Sequence, residues 1–198
     1  MMRLFFFLFS LSVVPLRAAD SGTTWLERLR TAVDALGAYE VQFNLSTTDG
    51  YAVQGAYRVA DERYWIAMPA VRVFCDGEAR YEVNDSKREV VVDAVDGRSH
   101  NLLDNPARAF DFVGEQYDVQ VVSEQADRIA LRLTPRSEES STAIELTLDK
   151  CSALPVSVVY GAEDLRITIA IASFAKSASA FPAFRREDFA GYEWIDFR

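Results

Sequence analysis

His100 is the single histidine of this 198-residue chain, and it follows Ser99 in a turn-like stretch. A Ser-His-Asp nucleophile would have to be built on it, yet no serine sits in a Gly-flanked elbow and no spacing ties an acid to the ring. Cys75 and Cys151 are the two cysteines, and with one histidine they make no metal-ligand cluster. After export they would share an oxidising compartment, which leaves a disulfide and two buried thiols both open. The 30 acidic residues fall at alternating, solvated positions, so no carboxylate pair suggests acid/base work. A Gly-rich phosphate loop is lacking too. These residue types predict a binder with no catalytic residues, no metal and no cofactor.

What a binder could take is limited by charge and address. Residues 1–19 read as a secretory signal: Arg3 supplies a positive start, Leu4 to Val14 a short apolar run, and Ala18-Ala19 a small-residue cleavage site. That run is too short to span a bilayer, and Pro15 and Arg17 close it. Losing Arg3 and Arg17 with the leader takes the net charge from −9 to −11. An acidic chain without a basic cluster is repelled by phosphate backbones and anionic lipid surfaces, which excludes nucleic acid. The mature chain has no transmembrane segment, and residues 20–198 are expected to form one domain and a monomer.

The elements come in a plain order. Thr24 and Glu27 fit a capping box, Leu26, Leu29, Val33 and Leu36 recur at helical spacing, and Gly37 ends the run. From Tyr39 the period changes to two: Val41, Phe43 and Leu45 alternate with polar residues, Asp49-Gly50 turns, and Val53, Gly55, Tyr57 and Val59 return. Tyr64, Ile66 and Met68 follow. In the stretch from Val71 to Asn84, Val71, Val73, Cys75, Ala79, Tyr81 and Val83 are expected on one side, with Arg72, Arg80 and Glu82 on the other. Asp76-Gly77 is read as the type I′ turn between them. Further alternation through Val92, then Tyr117 to Val121, Leu131, Leu146, Val158 and Ile169, brings the count to about eleven strands. The fold class predicted is α+β: an unclosed antiparallel β-barrel covered by an N-terminal amphipathic helix and one short helix.

That short helix is expected from Asn105-Pro106, since proline suits a first helical position. Its residues through Val113 carry Phe110 and Phe112, which must dock on the sheet. Whether they plug the interior permanently or move is open on spacing alone. So is the interior itself: an apolar-walled sheet can be filled by its own side chains or left hollow for a greasy ligand.

The order of motifs resembles the LolA family of periplasmic outer-membrane lipoprotein carriers. It rests on the helix followed by Phe43, Gly55-Ala-Tyr-Arg-Val59, Val73-Phe-Cys-Asp-Gly77 with Tyr81, Asn105-Pro106, Leu131-Arg-Leu-Thr-Pro135, Leu154-Pro155, and the ending Phe189 to Arg198. The resemblance implies a half-barrel whose hydrophobic cavity shields acyl chains during transfer to the outer membrane. Its wall would be Phe43, Tyr57, Ile66, Val73, Tyr81, Val92, Leu131, Leu146, Val158 and Ile169, and its lid Pro106, Phe110 and Phe112. It implies lipoproteins as partners, with an inner-membrane releasing transporter and an outer-membrane acceptor. Where the family has an arginine latching the lid, this chain has Ala60-Asp-Glu-Arg63, so the latch is Arg63 or another residue. A lipid-sensing module on the same half-barrel and a structural periplasmic protein with a filled core are the alternatives.

Overall fold

The computed structural model describes residues 21–111, 117–136, 143–161 and 166–198; the expected leader and Phe112 lie outside them. The chain opens with helix α1 (Gly22–Asp34). Six strands follow as a meander: β1 (Tyr39–Thr47), β2 (Ala52–Ala60), β3 (Arg63–Ala67), β4 (Val71–Cys75), β5 (Ala79–Asn84) and β6 (Glu89–Ala94). A second meander holds β7 (Tyr117–Glu124), β8 (Arg128–Pro135), β9 (Ile144–Asp149), β10 (Pro155–Gly161) and β11 (Arg166–Lys176). A 3-10 turn (Arg186–Phe189) leads to β12 (Glu193–Asp196).

The two meanders join where β1 pairs with β11. The result is one twelve-stranded sheet in the order β12-β6-β5-β4-β3-β2-β1-β11-β10-β9-β8-β7, with β12 and β7 at its unpaired edges. All pairs are antiparallel except β12 with β6. The fold expected from sequence is thus present as an open sheet, with one strand more and one helix fewer.

This topology dictates what covers the sheet. The link from β6 to β7 runs between positions ten strand spacings apart, roughly 48 Å at about 4.8 Å per strand. It must therefore cross a whole face. Leu102, Ala109 and Phe110 of this crossing pack with Trp25, Leu26 and Leu29 of α1 onto the face formed by Val41, Phe43, Tyr57, Ile66, Val73, Leu131, Leu146, Val158 and Ile169. The tail after β11 crosses the opposite face to reach β6, and its Phe184, Phe189 and Trp194 pack on Phe74, Val83, Val90 and Val92.

Three local expectations need correction. The helix is capped by Ser21, whose hydroxyl accepts from the Thr24 amide at 3.2 Å, one turn before the capping box read from Thr24. Residues 106–110 form successive turns closed by short-range bonds, Arg108 N to Asn105 O at 3.0 Å and Asp111 N to Arg108 O at 3.1 Å. So few residues cannot offset the cost of nucleating a helix. Cys75 is buried but Cys151 is exposed, and both are free thiols.

The faces of the central meander also differ from expectation. Cys75 pairs with Arg80 and Phe74 with Tyr81, so Tyr81 shares its side with Phe74, opposite Val73. Asp76 closes the hairpin on Ala79, its carboxylate accepting from the Glu78 and Ala79 amides at 2.9 Å each. A turn with an even number of residues always pairs odd-numbered with even-numbered positions, so a common odd-numbered apolar face was never available across this hairpin.

Candidate functional site

The inner face brings together eight of the ten expected wall residues: Phe43, Tyr57, Ile66, Val73, Leu131, Leu146, Val158 and Ile169. Tyr81 and Val92 lie instead on the outer face, paired with each other and packed beneath the tail. In their place the inner side of β5 and β6 carries Arg80, which pairs with Glu82 at 2.8 Å and approaches Asp93 at 3.9 Å. The apolar wall therefore ends in a charged border.

The wall is closed in this structure. None of the eight residues is more than 2% exposed. The space in front of them is occupied by α1 and by the crossing segment. Phe43 is held down by Gly55, across from it in the ladder. A methyl group on Gly55 would lie 2.9 Å from Phe43 Cε2 and 3.0 Å from the Ala67 carbonyl, so only glycine lets the ring lie flat there.

What fastens the cover is polar. The Tyr39 hydroxyl donates to the Pro106 carbonyl at 3.3 Å, and the Tyr64 hydroxyl to the Asp104 carbonyl at 2.7 Å. The Tyr160 hydroxyl accepts from the Leu102 amide at 3.0 Å and donates to the His100 carbonyl at 3.3 Å. Three strands, β1, β3 and β10, thus each lend one tyrosine to the backbone of residues 100–106. Burial pushes the ionisation of all three phenols well above the ordinary range, with Asp34 adding to the effect at Tyr39. His100 is internal to the cover: its Nδ1 donates to the Arg108 carbonyl at 2.9 Å, and its ring meets Tyr117 edge-on at 6.0 Å.

Phe110 is buried against Phe174, with ring centres 5.8 Å apart, and Phe174 stacks on Tyr39 at 5.0 Å. The Arg63 guanidinium lies 5.4 Å over the Phe181 ring. The tyrosines went unpredicted because they read simply as apolar alternation. Between α1 and the cover lies a mouth of about 270 Å³, with Val33, Tyr39, Ala107 and Phe110 among Arg30, Asp34, Glu62, Arg108 and Asp111. A second depression, about 470 Å³, sits around the β1 bulge and is lined by Phe43 and Gly55 together with Gln42, Asn44, Gln54 and Pro69 among others.

Among the described residues no helix is long and apolar enough to cross a membrane. No protein-family model matches the sequence, and no curated protein matches it. Solved structures do. An uncharacterized conserved protein from Thermus thermophilus aligns at a TM-score of 0.55 and 9% identity, over 87% of this chain and 97% of that one. The two share the fold. A LolA superfamily protein from Nitrosomonas europaea aligns at 0.44 and 12%, over 87% and 98%. The lipoprotein LppX of Mycobacterium tuberculosis aligns at 0.45 and 7%, over 79% and 96%.

Proposed function

We propose that this chain is a LolA-like binding protein of the bacterial envelope that takes up the acyl chains of lipids or lipoproteins on the inner face of its sheet. On this reading it is a carrier, not an enzyme, and it works in the periplasm after export. The observation that carries the proposal is the nature of the cover. An apolar wall spanning most of the sheet is capped by a crossing segment that three tyrosine hydroxyls fasten.

Magnitudes favour exchange of cover for ligand. Lifting the segment gives up four hydrogen bonds made by three tyrosine hydroxyls, at roughly 1 kcal/mol each. Uncovering Leu102 and Phe110 costs about 2–3 kcal/mol apiece. The total, about 8–10 kcal/mol, is of the same size as the roughly 11 kcal/mol gained by burying an acyl chain of about fourteen methylenes. One chain is therefore enough to displace the cover, and release stays within reach. Phe110 occupies the wall when no ligand is present.

Native mass spectrometry of the mature protein mixed with a triacylated lipopeptide tests this. A one-to-one adduct that survives mild activation is the expected result. A clean protein mass at saturating lipopeptide would leave a structural module with a filled core. A carrier rather than a sensor is expected to hand the bound lipopeptide to acceptor vesicles, a transfer read by the same spectrum.

A further inference from the structure

Three tyrosine side chains, Tyr39, Tyr57 and Tyr160, gather beneath the cover, and one of them lacks a bonding partner among the described residues. Tyr57 is fully buried, yet its hydroxyl has no hydrogen-bond partner among the described residues. Its neighbours are tyrosines: the Tyr39 ring stands edge-on at 6.3 Å, and the phenols of Tyr39 and Tyr160 both act on its ionisation. Those two hydroxyls are committed to Pro106, Leu102 and His100. Phe43 closes the other side at 6.1 Å. The position lies on the apolar wall, where phenylalanine would fill the same space without stranding a donor. A buried unpaired hydroxyl costs stability in the free protein. A group kept at such a cost has a use when the free state ends.

We infer that the Tyr57 hydroxyl is a ligand anchor, a donor for the carbonyl oxygen of an acyl ester or amide seated on the wall. The inference rests on the proposed acyl-binding role and narrows its substrate class to carbonyl-linked chains over plain hydrocarbon or ether-linked ones. An uncharged phenol suits a neutral carbonyl, because it donates one hydrogen bond and burial keeps it protonated. A carboxylate would instead bring an uncompensated charge among apolar groups. Tyr39, Tyr64 and Tyr160, freed when the cover lifts, border the same region and extend the polar seam at which the head of the ligand would rest.

The test compares two probes of equal chain length, dimyristoylglycerol and its ditetradecyl ether analogue, on the wild-type protein and on Tyr57→Phe. The wild type is expected to bind the ester about five- to tenfold more tightly than the ether. Tyr57→Phe should bind both with the ether's affinity, and should melt at the same or a higher temperature because the stranded donor is gone. Equal binding of ester and ether by the wild type would overturn the anchor and leave acyl binding standing. So would an ester preference that survives in Tyr57→Phe. Failure of both probes to bind the wild type would overturn the acyl-binding proposal and the anchor together.

Discussion

The Tyr64 hydroxyl donates to the Asp104 carbonyl at 2.7 Å, tying β3 to the segment that crosses the sheet. It is the shortest of the tyrosine bonds to the cover, and its loss has a defined reading. Tyr64→Phe should cost about 1 kcal/mol in a urea titration and speed hydrogen exchange across residues 102–110. Ligand uptake should accelerate in the same variant. An unchanged exchange pattern would show that the cover is held by packing and not by its phenols.

Alkali should loosen the same contacts. Tyr39, Tyr64 and Tyr160 all ionise well above the ordinary phenol range because burial disfavours the phenolate. In the unfolded chain they ionise near pH 10. Above that pH the unfolded state binds fewer protons than the native one, so stability falls as pH rises. Below it the contribution is fully present. The urea midpoint should be level with respect to these groups from pH 8 to about 9.5 and drop beyond pH 10. Tyr39→Phe/Tyr64→Phe/Tyr160→Phe should flatten the drop.

Gly55 lies across from Phe43 on the wall, and a methyl group there would press on a ring that is 2% exposed. Gly55→Ala is expected to destabilise by about 1–3 kcal/mol through overpacking, and Phe43→Ala by about 3–5 kcal/mol through the space it leaves. In the double variant the vacated ring removes the clash, so the combined loss should fall short of the sum. Additive losses would mean that the two positions do not touch.

The outer face makes its own prediction. Phe184 stacks on Tyr81 at 4.1 Å and on Phe189 at 5.3 Å, and Arg186 lies 4.1 Å over Trp194. Deleting residues 184–198 would expose Phe74, Val83 and Val90 and leave β6 as a bare edge. Such surfaces associate. The truncated chain should elute as oligomers on gel filtration, while the full chain elutes as a monomer.

Much of this was legible in the residues. Period-two alternation placed the strands, and the apolar positions of β1, β2, β8, β9 and β10 fell on the inner face as read. The central hairpin misled because Val73 and Tyr81 fall at odd-numbered positions of two clean alternations, yet the four-residue turn between β4 and β5 sets them on opposite faces. The aromatic tail was the available signal: Phe184, Phe189 and Trp194 need an apolar surface of their own. Pro106 suggested a helix, but tertiary bonds from Tyr39, Tyr64 and Tyr160 hold that segment as turns. No sequence pattern distinguishes a tyrosine that fastens a loop from one that merely packs, or either from Tyr57, whose hydroxyl has no partner among the described residues.

Uptake of an acyl chain on this face requires a cover that ligand lifts from the wall. The Leu102 amide reports it directly, since it donates to the Tyr160 hydroxyl at 3.0 Å while the cover is down. Hydrogen exchange at that amide should be at least tenfold faster in protein saturated with triacylated lipopeptide than in free protein. Lipopeptide bound with Leu102 as protected as before would contradict it.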